Sequence, residues 1–361
     1  MEYRRLGKSN LNVSVIGFGG MRIPEVSEEE AYKVINKAID LKINFFETAP
    51  GYGDSEAKIG KSLGKRRKDI YLSTKSNYGY AKTSDELQAF VETQLKRLNT
   101  DYLDFYQMWF VQSREEFEKI IAKGGNYEGA IKLKKQGIIK HIGITSHAEP
   151  SDIEYFIRTG LFESVTIYYN AFAHKYAGIP KIARELDMGV VCMGPLNGGL
   201  LGSDSGKFRF LRRGKATTNV LGALRYIIGN PDISTAIVGF RKPEEVEEDL
   251  LAGDFYEDIK NTNDVAEIMQ EFEKLKENVP KTVCSMCNYC APCTNKINIP
   301  GIFELVTQAN FYGTVDLARE RYDKRIKVKA DACTDCKKCV EKCPQKINIP
   351  EDLKKAHKFL S

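Results

Sequence analysis

The nine cysteines of this chain are placed unevenly: Cys192 stands alone in an apolar run, and the other eight fall between positions 284 and 343. The first run is Cys284-x2-Cys287-x2-Cys290-x2-Cys293, and the second is Cys333-x2-Cys336-x2-Cys339-x3-Cys343 followed by Pro344. A cubane iron–sulfur cage needs four thiolates converging on one small object. Three at i, i+3 and i+6 wrap a corner of it, and the fourth arrives from further away. Two such runs imply two 4Fe–4S clusters. A disulfide framework suits small secreted domains, whereas the opening MEYRRLGKSN is read as carrying no apolar export segment. Tetrahedral zinc needs only two thiols from each run, yet both runs carry a third at the same interval. Iron–sulfur is the stronger reading.

The two runs form an internal repeat, since Lys-Ile-Asn-Ile-Pro recurs at 296–300 and 346–350. Between them, residues 301–328 read as helical, so this part is expected to be a small, mainly helical module. Cys192 is expected to be a buried core residue.

A second set of reactive side chains lies earlier: Glu47, Tyr52, Lys75 and Trp109. An acid, a phenol and an amine together are what carbonyl reduction requires. An ammonium beside a tyrosine lowers the phenol's pKa and makes it a proton donor near neutrality, while the carboxylate keeps the amine charged. The plainer alternative is a rim ion pair beside a loop aromatic.

These residues need a scaffold that brings distant positions to one place. Short β-branched or aromatic runs occur at 13–18, 43–47, 70–74, 102–108, 138–145, 164–169, 189–194 and 234–239. Amphipathic stretches such as 28–42 and 84–98 separate them, apolar at helical spacing. Near-continuous apolar strands alternating with helices predict a parallel sheet covered on both faces. Eight units predict an α/β fold, a (β/α)8 TIM barrel, with its chemistry at the C-terminal strand ends. A doubly wound sheet is the alternative, but IGFGGM at 16–21 is a poor dinucleotide loop. Residues 3–14 are expected to form a hairpin ahead of the barrel. The acidic stretch 244–280 leads out of it, and the predicted domains are 1–260 and 261–361.

With these residues in view, residues 1–255 resemble an aldo/keto reductase, and 256–361 resemble the ferredoxin-type iron–sulfur extension of one microbial branch of that family. The resemblance rests on YRRLGKSNLNVSVIGFGGMRIP, INFFETAPGYGDSE, YLSTKS, DYLDFYQM, IGITSH, YYN, GPLNGGLL and IVGFRKPEEVEEDL. It implies an Asp–Tyr–Lys–His tetrad in which tyrosine protonates a carbonyl oxygen while NADPH delivers hydride to the carbon. Tyr52 and Lys75 stand at the family's tyrosine and lysine, but Glu47 replaces the aspartate and Trp109 the histidine. An indole donates one hydrogen bond and does not titrate. For the nicotinamide carboxamide the resemblance implies Thr145, Ser146, Thr166 and Asn170. For the pyrophosphate it implies the loop 194–200 with Pro195, Leu196 and Gly198. Gly239, Arg241, Lys242 and Glu247 follow after strand eight, where a 2′-phosphate would favour NADP. Asp249 stands where the family has an asparagine on adenine. The ferredoxin-type resemblance also implies crossed ligation: Cys284, Cys287 and Cys290 with Cys343, and Cys333, Cys336 and Cys339 with Cys293.

Composition removes other classes. The 361 residues carry a net charge of +5, and no apolar run approaches a membrane span. Nucleic acid is not indicated by so mild and dispersed a charge, although 61–68 contains KRRK. Thiolate clusters place the chain in a reducing cytoplasm. Three functions are then consistent: NADP-linked reduction of a small carbonyl compound, electron transfer through the clusters with a ferredoxin-like partner and a flavin, or a cluster-bearing barrel without catalysis.

Overall fold

Each apolar run becomes a strand wherever its residues can be buried on both faces. The protein was analysed as a computed structural model, which describes residues 1–171, 174–199, 201–202, 206–254, 263–276, 284–312 and 315–361. Strands β1 (Tyr3–Arg5) and β2 (Asn12–Ser14) pair antiparallel, Arg4 opposite Val13. The barrel strands are β3 (Ile16–Gly19), β4 (Phe45–Glu47), β5 (Tyr71–Ser76), β6 (Leu103–Val111), β7 (Ile139–Ser146), β8 (Ser164–Tyr168), β9 (Gly189–Met193) and β10 (Thr235–Val238). Among the described residues these eight close into one parallel barrel, with β10 hydrogen-bonded to both β9 and β3. All eight expected strands and the N-terminal hairpin are present.

The helices follow from their ends as much as from their faces. Glu28–Asp40 starts at a reciprocal Ser27/Glu30 capping box and buries Val34, Ile35, Ala38 and Ile39. Ser84–Leu98 starts the same way at Thr83/Glu86 and stops at Asn99 with φ 49°, a left-handed cap.

The hairpin plugs the barrel's N-terminal end, where Leu6 and Val13 pack with Phe45, Phe105, Val191 and Ile237. The turn tolerates only glycine at position 7. Its φ is +53°, and a Cβ there would lie 2.1 Å from the Gly189 nitrogen.

Helix Asp264–Lys276 lies against the barrel, with Ile268 and Phe272 in the barrel's apolar cluster and Asp264 paired to the buried Arg225 at 2.5 Å. The boundary expected at 260/261 falls in 255–262, outside the described residues. Further along the chain, helices Ile299–Tyr312, Val315–Arg325 and Ile349–Leu360 build a separate apolar cluster around Ile302, Phe303, Leu353 and Leu360.

Sequence repetition there becomes structural repetition. Lys296 and Lys346 share left-handed φ values of 60° and 54°, and Pro300 and Pro350 each lie in the first turn of a helix. The thiol-bearing loops match as well. Met286 and Asp335, two residues past the first cysteine of each run, have φ 52° and 56°. Asn288 and Lys337, two residues further on, have φ 65° and 59°.

Candidate functional site

A cavity of about 420 Å³ opens at the C-terminal ends of the barrel strands. Its inner wall carries Glu47 and Tyr52, with Lys75 beneath them. Glu47 ends β4 opposite Ser73 of β5, so Lys75 emerges one pleat further along the neighbouring strand. The two side chains, 3% and 1% exposed, form a buried ion pair. Burial pushes the Lys75 ammonium well below its usual range, and the Glu47 carboxylate in contact with it works the other way.

Lys75 Nζ lies 4.7 Å from the centre of the Tyr52 ring and 5.7 Å from that of Trp109. The ammonium therefore meets the ring face. The phenol is not acidified as the residue types suggested. Burial, and after it the neighbouring Tyr289, raises Tyr52 well above the ordinary phenol value.

Trp109 reaches this place through an irregularity. The register of β6 against β7 shifts between Met108 and Val111, and Phe110 adopts φ +63°. The indole then lies edge-on to Tyr52 at 6.2 Å.

Several wall residues were not assigned to this site from sequence. Ser285, Cys287 and Tyr289, from the first cysteine run, line the same cavity as Tyr52. The Tyr289 hydroxyl lies close enough to the Tyr52 phenol and the Trp109 indole for both to act on it electrostatically. His147, just past β7, is buried on the wall, and its Nδ1 has no hydrogen-bond partner. Burial first, then Lys75 and Lys175, lower it to about 3, so the imidazole is neutral. No spacing rule links residue 289 to residue 52. His147 was visible only as the residue after Ser146 at the end of a strand.

Toward the outer end the wall is built by the loop after β9, with Pro195, Leu196 and Gly198, and by Gly239, Arg241, Glu245, Glu248 and Asp249. Arg22 crosses this end to donate to the Gly198 carbonyl at 3.2 Å. Glu25 pairs with Arg22 at 2.7 Å and with Arg241 at 2.5 Å. Burial, reinforced by Glu248 and Glu245, lifts the Asp249 carboxyl to about 8.

Other assigned residues are committed elsewhere. Thr145 donates to the Met108 carbonyl at 3.4 Å and Ser146 to that of Val111 at 2.6 Å, fixing β7 to β6. Thr166 is buried within β8. Asn170 holds the Gly194 carbonyl at 2.8 Å and so steadies the loop after β9. Glu247 turns to Lys37, and Lys242 is exposed at the start of helix Pro243–Leu250. None of these six lines the cavity, because successive strand residues face opposite ways and successive helix residues point about 100° apart.

The eight thiols gather around two further cavities. Cys284, Cys287, Cys290 and Cys343 line one of about 20 Å³; Cys290, Cys293, Cys333, Cys336 and Cys339 line another of about 320 Å³. Among the described residues, no three His, Cys, Asp or Glu side chains come close enough to share a single metal ion. Cys192 is buried, its thiol raised by that burial, as expected of a core residue.

A closed parallel barrel with a phenol, an amine and a carboxylate at one mouth defines a (β/α)8 oxidoreductase. The chain belongs to the aldo/keto reductase family, whose model matches residues 15–270. It is 27% identical over 286 residues to an uncharacterised oxidoreductase, YqkF, of Bacillus subtilis, covering 70% of this chain and 91% of that one. L-galactose dehydrogenase of Arabidopsis thaliana is also 27% identical, over 287 residues, with 70% and 88% covered. Among solved structures, the aldo-keto reductase AKR11C1 from Bacillus halodurans, in its holo form, superposes with TM-score 0.62 at 26% identity, covering 76% of this chain and 96% of that one. The protein is an aldo/keto reductase-like enzyme, an oxidoreductase.

Proposed function

We propose that this oxidoreductase reduces a small carbonyl compound with NADPH, Tyr52 giving the proton, and that its eight paired cysteines hold two 4Fe–4S clusters. The observation that carries the first part is the Tyr52 phenol standing on the buried Lys75–Glu47 pair at the cavity wall. When bound, the nicotinamide supplies hydride to the carbonyl carbon. Tyr52 transfers its O–H proton to the carbonyl oxygen as negative charge gathers there. Because burial raises this phenol, the proton moves only to an oxygen already becoming an alkoxide. Lys75 then stabilises the phenolate, and Glu47 holds Lys75 charged. Trp109 donates a hydrogen bond where the family's histidine would, without a proton of its own to exchange.

The loop after β9, Gly239 and Arg241 would hold the dinucleotide. For Arg241 to meet a 2′-phosphate it must leave Glu25, so the phosphate competes with that carboxylate. A carboxyl raised to about 8 still carries its proton at neutrality, so Asp249 can donate to adenine much as an asparagine amide does.

Two features support the clusters. The thiols line two cavities that hold the crossed sets, with Cys290 shared between them. Alternating left-handed residues at Met286/Asn288 and Asp335/Lys337 also turn backbone N–H groups toward an anionic centre. A cubane spreads its ligands over four irons, so the thiols need not share one ion. The smaller cavity is tighter than such a cage, so its thiols must part to receive it.

Cys287 on the wall of the Tyr52 cavity favours a second reading, in which electrons pass between a cluster and a group in the barrel, such as a flavin. Anaerobic purification followed by assay of iron, sulfide, flavin and nucleotide tests both. About eight irons and eight sulfides per chain are expected. An iron-free, well-folded preparation defeats the cluster assignment, and stoichiometric flavin moves the assignment to electron transfer.

A further inference from the structure

The cysteine segment does more than approach the barrel mouth; it puts a side chain where a reactant belongs. A Cβ on Gly198 would meet the Ser285 carbonyl oxygen at 2.9 Å, so the segment is seated against the loop after β9. From there the Tyr289 ring enters an aromatic box. It meets Phe110 at 4.6 Å, Trp109 at 6.0 Å and His147 at 6.0 Å, each edge to face. Its hydroxyl shares the cavity with Tyr52 and is close enough to the Tyr52 phenol and the Trp109 indole for both to act on it. Two hydrogen-bonding groups meeting at one oxygen, one of them the proton donor for reduction, make the environment that a carbonyl oxygen requires. The ring behind that oxygen fills the space of the substrate's body.

We propose that the Tyr289 phenol is an internal occupant of the carbonyl site, and that the substrates are aryl aldehydes and ketones, which reach Tyr52 by displacing it. This rests on Tyr52 being the proton donor. An aryl carbonyl compound matches the occupant in each respect that the box reads: a flat ring for Phe110, Trp109 and the neutral His147, and an oxygen at its end for Tyr52 and the indole N–H. An unbranched aliphatic aldehyde offers the oxygen without the ring.

The test compares the full chain, purified anaerobically, with Tyr289→Ala and Tyr289→Phe. Removing the competitor in Tyr289→Ala should lower KM for benzaldehyde about tenfold, the scale of one lost competing hydrogen bond with its packing, and lower that for hexanal much less. A rise in KM for benzaldehyde, or an equal fall for both aldehydes, overturns the proposal. Tyr289→Phe keeps the ring and loses the oxygen. It should give a smaller fall, and it serves if the alanine variant does not fold. Trp109 is the chain's single tryptophan. Its fluorescence should be quenched by p-cresol in Tyr289→Ala and not in the wild type. Equal quenching in both defeats the occupancy. Selective quenching in a chain that reduces no aldehyde upholds the occupancy and defeats the Tyr52 reading instead.

Discussion

In the proposed reduction Tyr52 and Lys75 divide one task. The phenol must keep its proton until the carbonyl oxygen takes on charge, and the ammonium must be ready to hold the phenolate left behind. Tyr52→Phe should therefore cut kcat by 10² to 10⁴-fold while nucleotide affinity, followed by Trp109 quenching, is retained. Turnover that survives would remove the phenol from the mechanism. Asp249 gives a prediction of the opposite kind. Its carboxyl, held up to about 8, is neutral below that pH and anionic above it, beside Glu245 and Glu248. Nucleotide binding should weaken as pH rises from 7 to 9, and Asp249→Asn should flatten that dependence. A wild-type titration already flat over this range contradicts the assignment. The residue types at 47, 52, 75 and 109 disclosed the site because their chemistry is unusual at strand ends. The same reasoning misjudged the Tyr52 phenol, since residue identity says nothing of how deeply a group is buried.

At the level of elements, the strands were legible because each is buried on both faces and so reads as an unbroken apolar run. Helix starts were legible from Ser27/Glu30 and Thr83/Glu86. What could not be read was direction within an element. Ser146 and His147 are neighbours, yet one ties β7 to β6 while the other faces the cavity. Glu247 and Glu248 likewise point to Lys37 and to the cavity. The shift in β6 that aims Trp109 leaves no trace in the apolar pattern. Gly7 permits a sharp test of element packing. Gly7→Ala combines a left-handed backbone with a close approach to β9, so it should destabilise by about 3 kcal/mol or more in thermal or urea unfolding. A loss below about 1 kcal/mol would show that the hairpin can shift without penalty.

At the scale of the whole molecule, one apolar cluster surrounds the barrel and another lies under the cysteine loops, and the segment 285–289 reaches from the second into the mouth of the first. That reach joins residues more than 230 positions apart and was out of range of any local pattern. If ligation is crossed, Cys343→Ser should disturb the cluster nearest Cys284, Cys287 and Cys290, and so change Trp109 fluorescence as well as iron content. Cys336→Ser should lower iron with much less effect on the indole. Equal optical responses from both variants would argue against crossed ligation.

The hairpin stoppers the lower end of the barrel, so among the described residues the cavity at the upper end is the way in. In the proposed reaction the dinucleotide, the carbonyl compound and Tyr289 share that cavity, and the dinucleotide would run inward from Arg22 and the loop after β9 to Tyr52. Traffic through a shared entrance has to queue. Nucleotide should load first and leave last, so oxidised nucleotide should inhibit competitively against reduced nucleotide and non-competitively against the aldehyde.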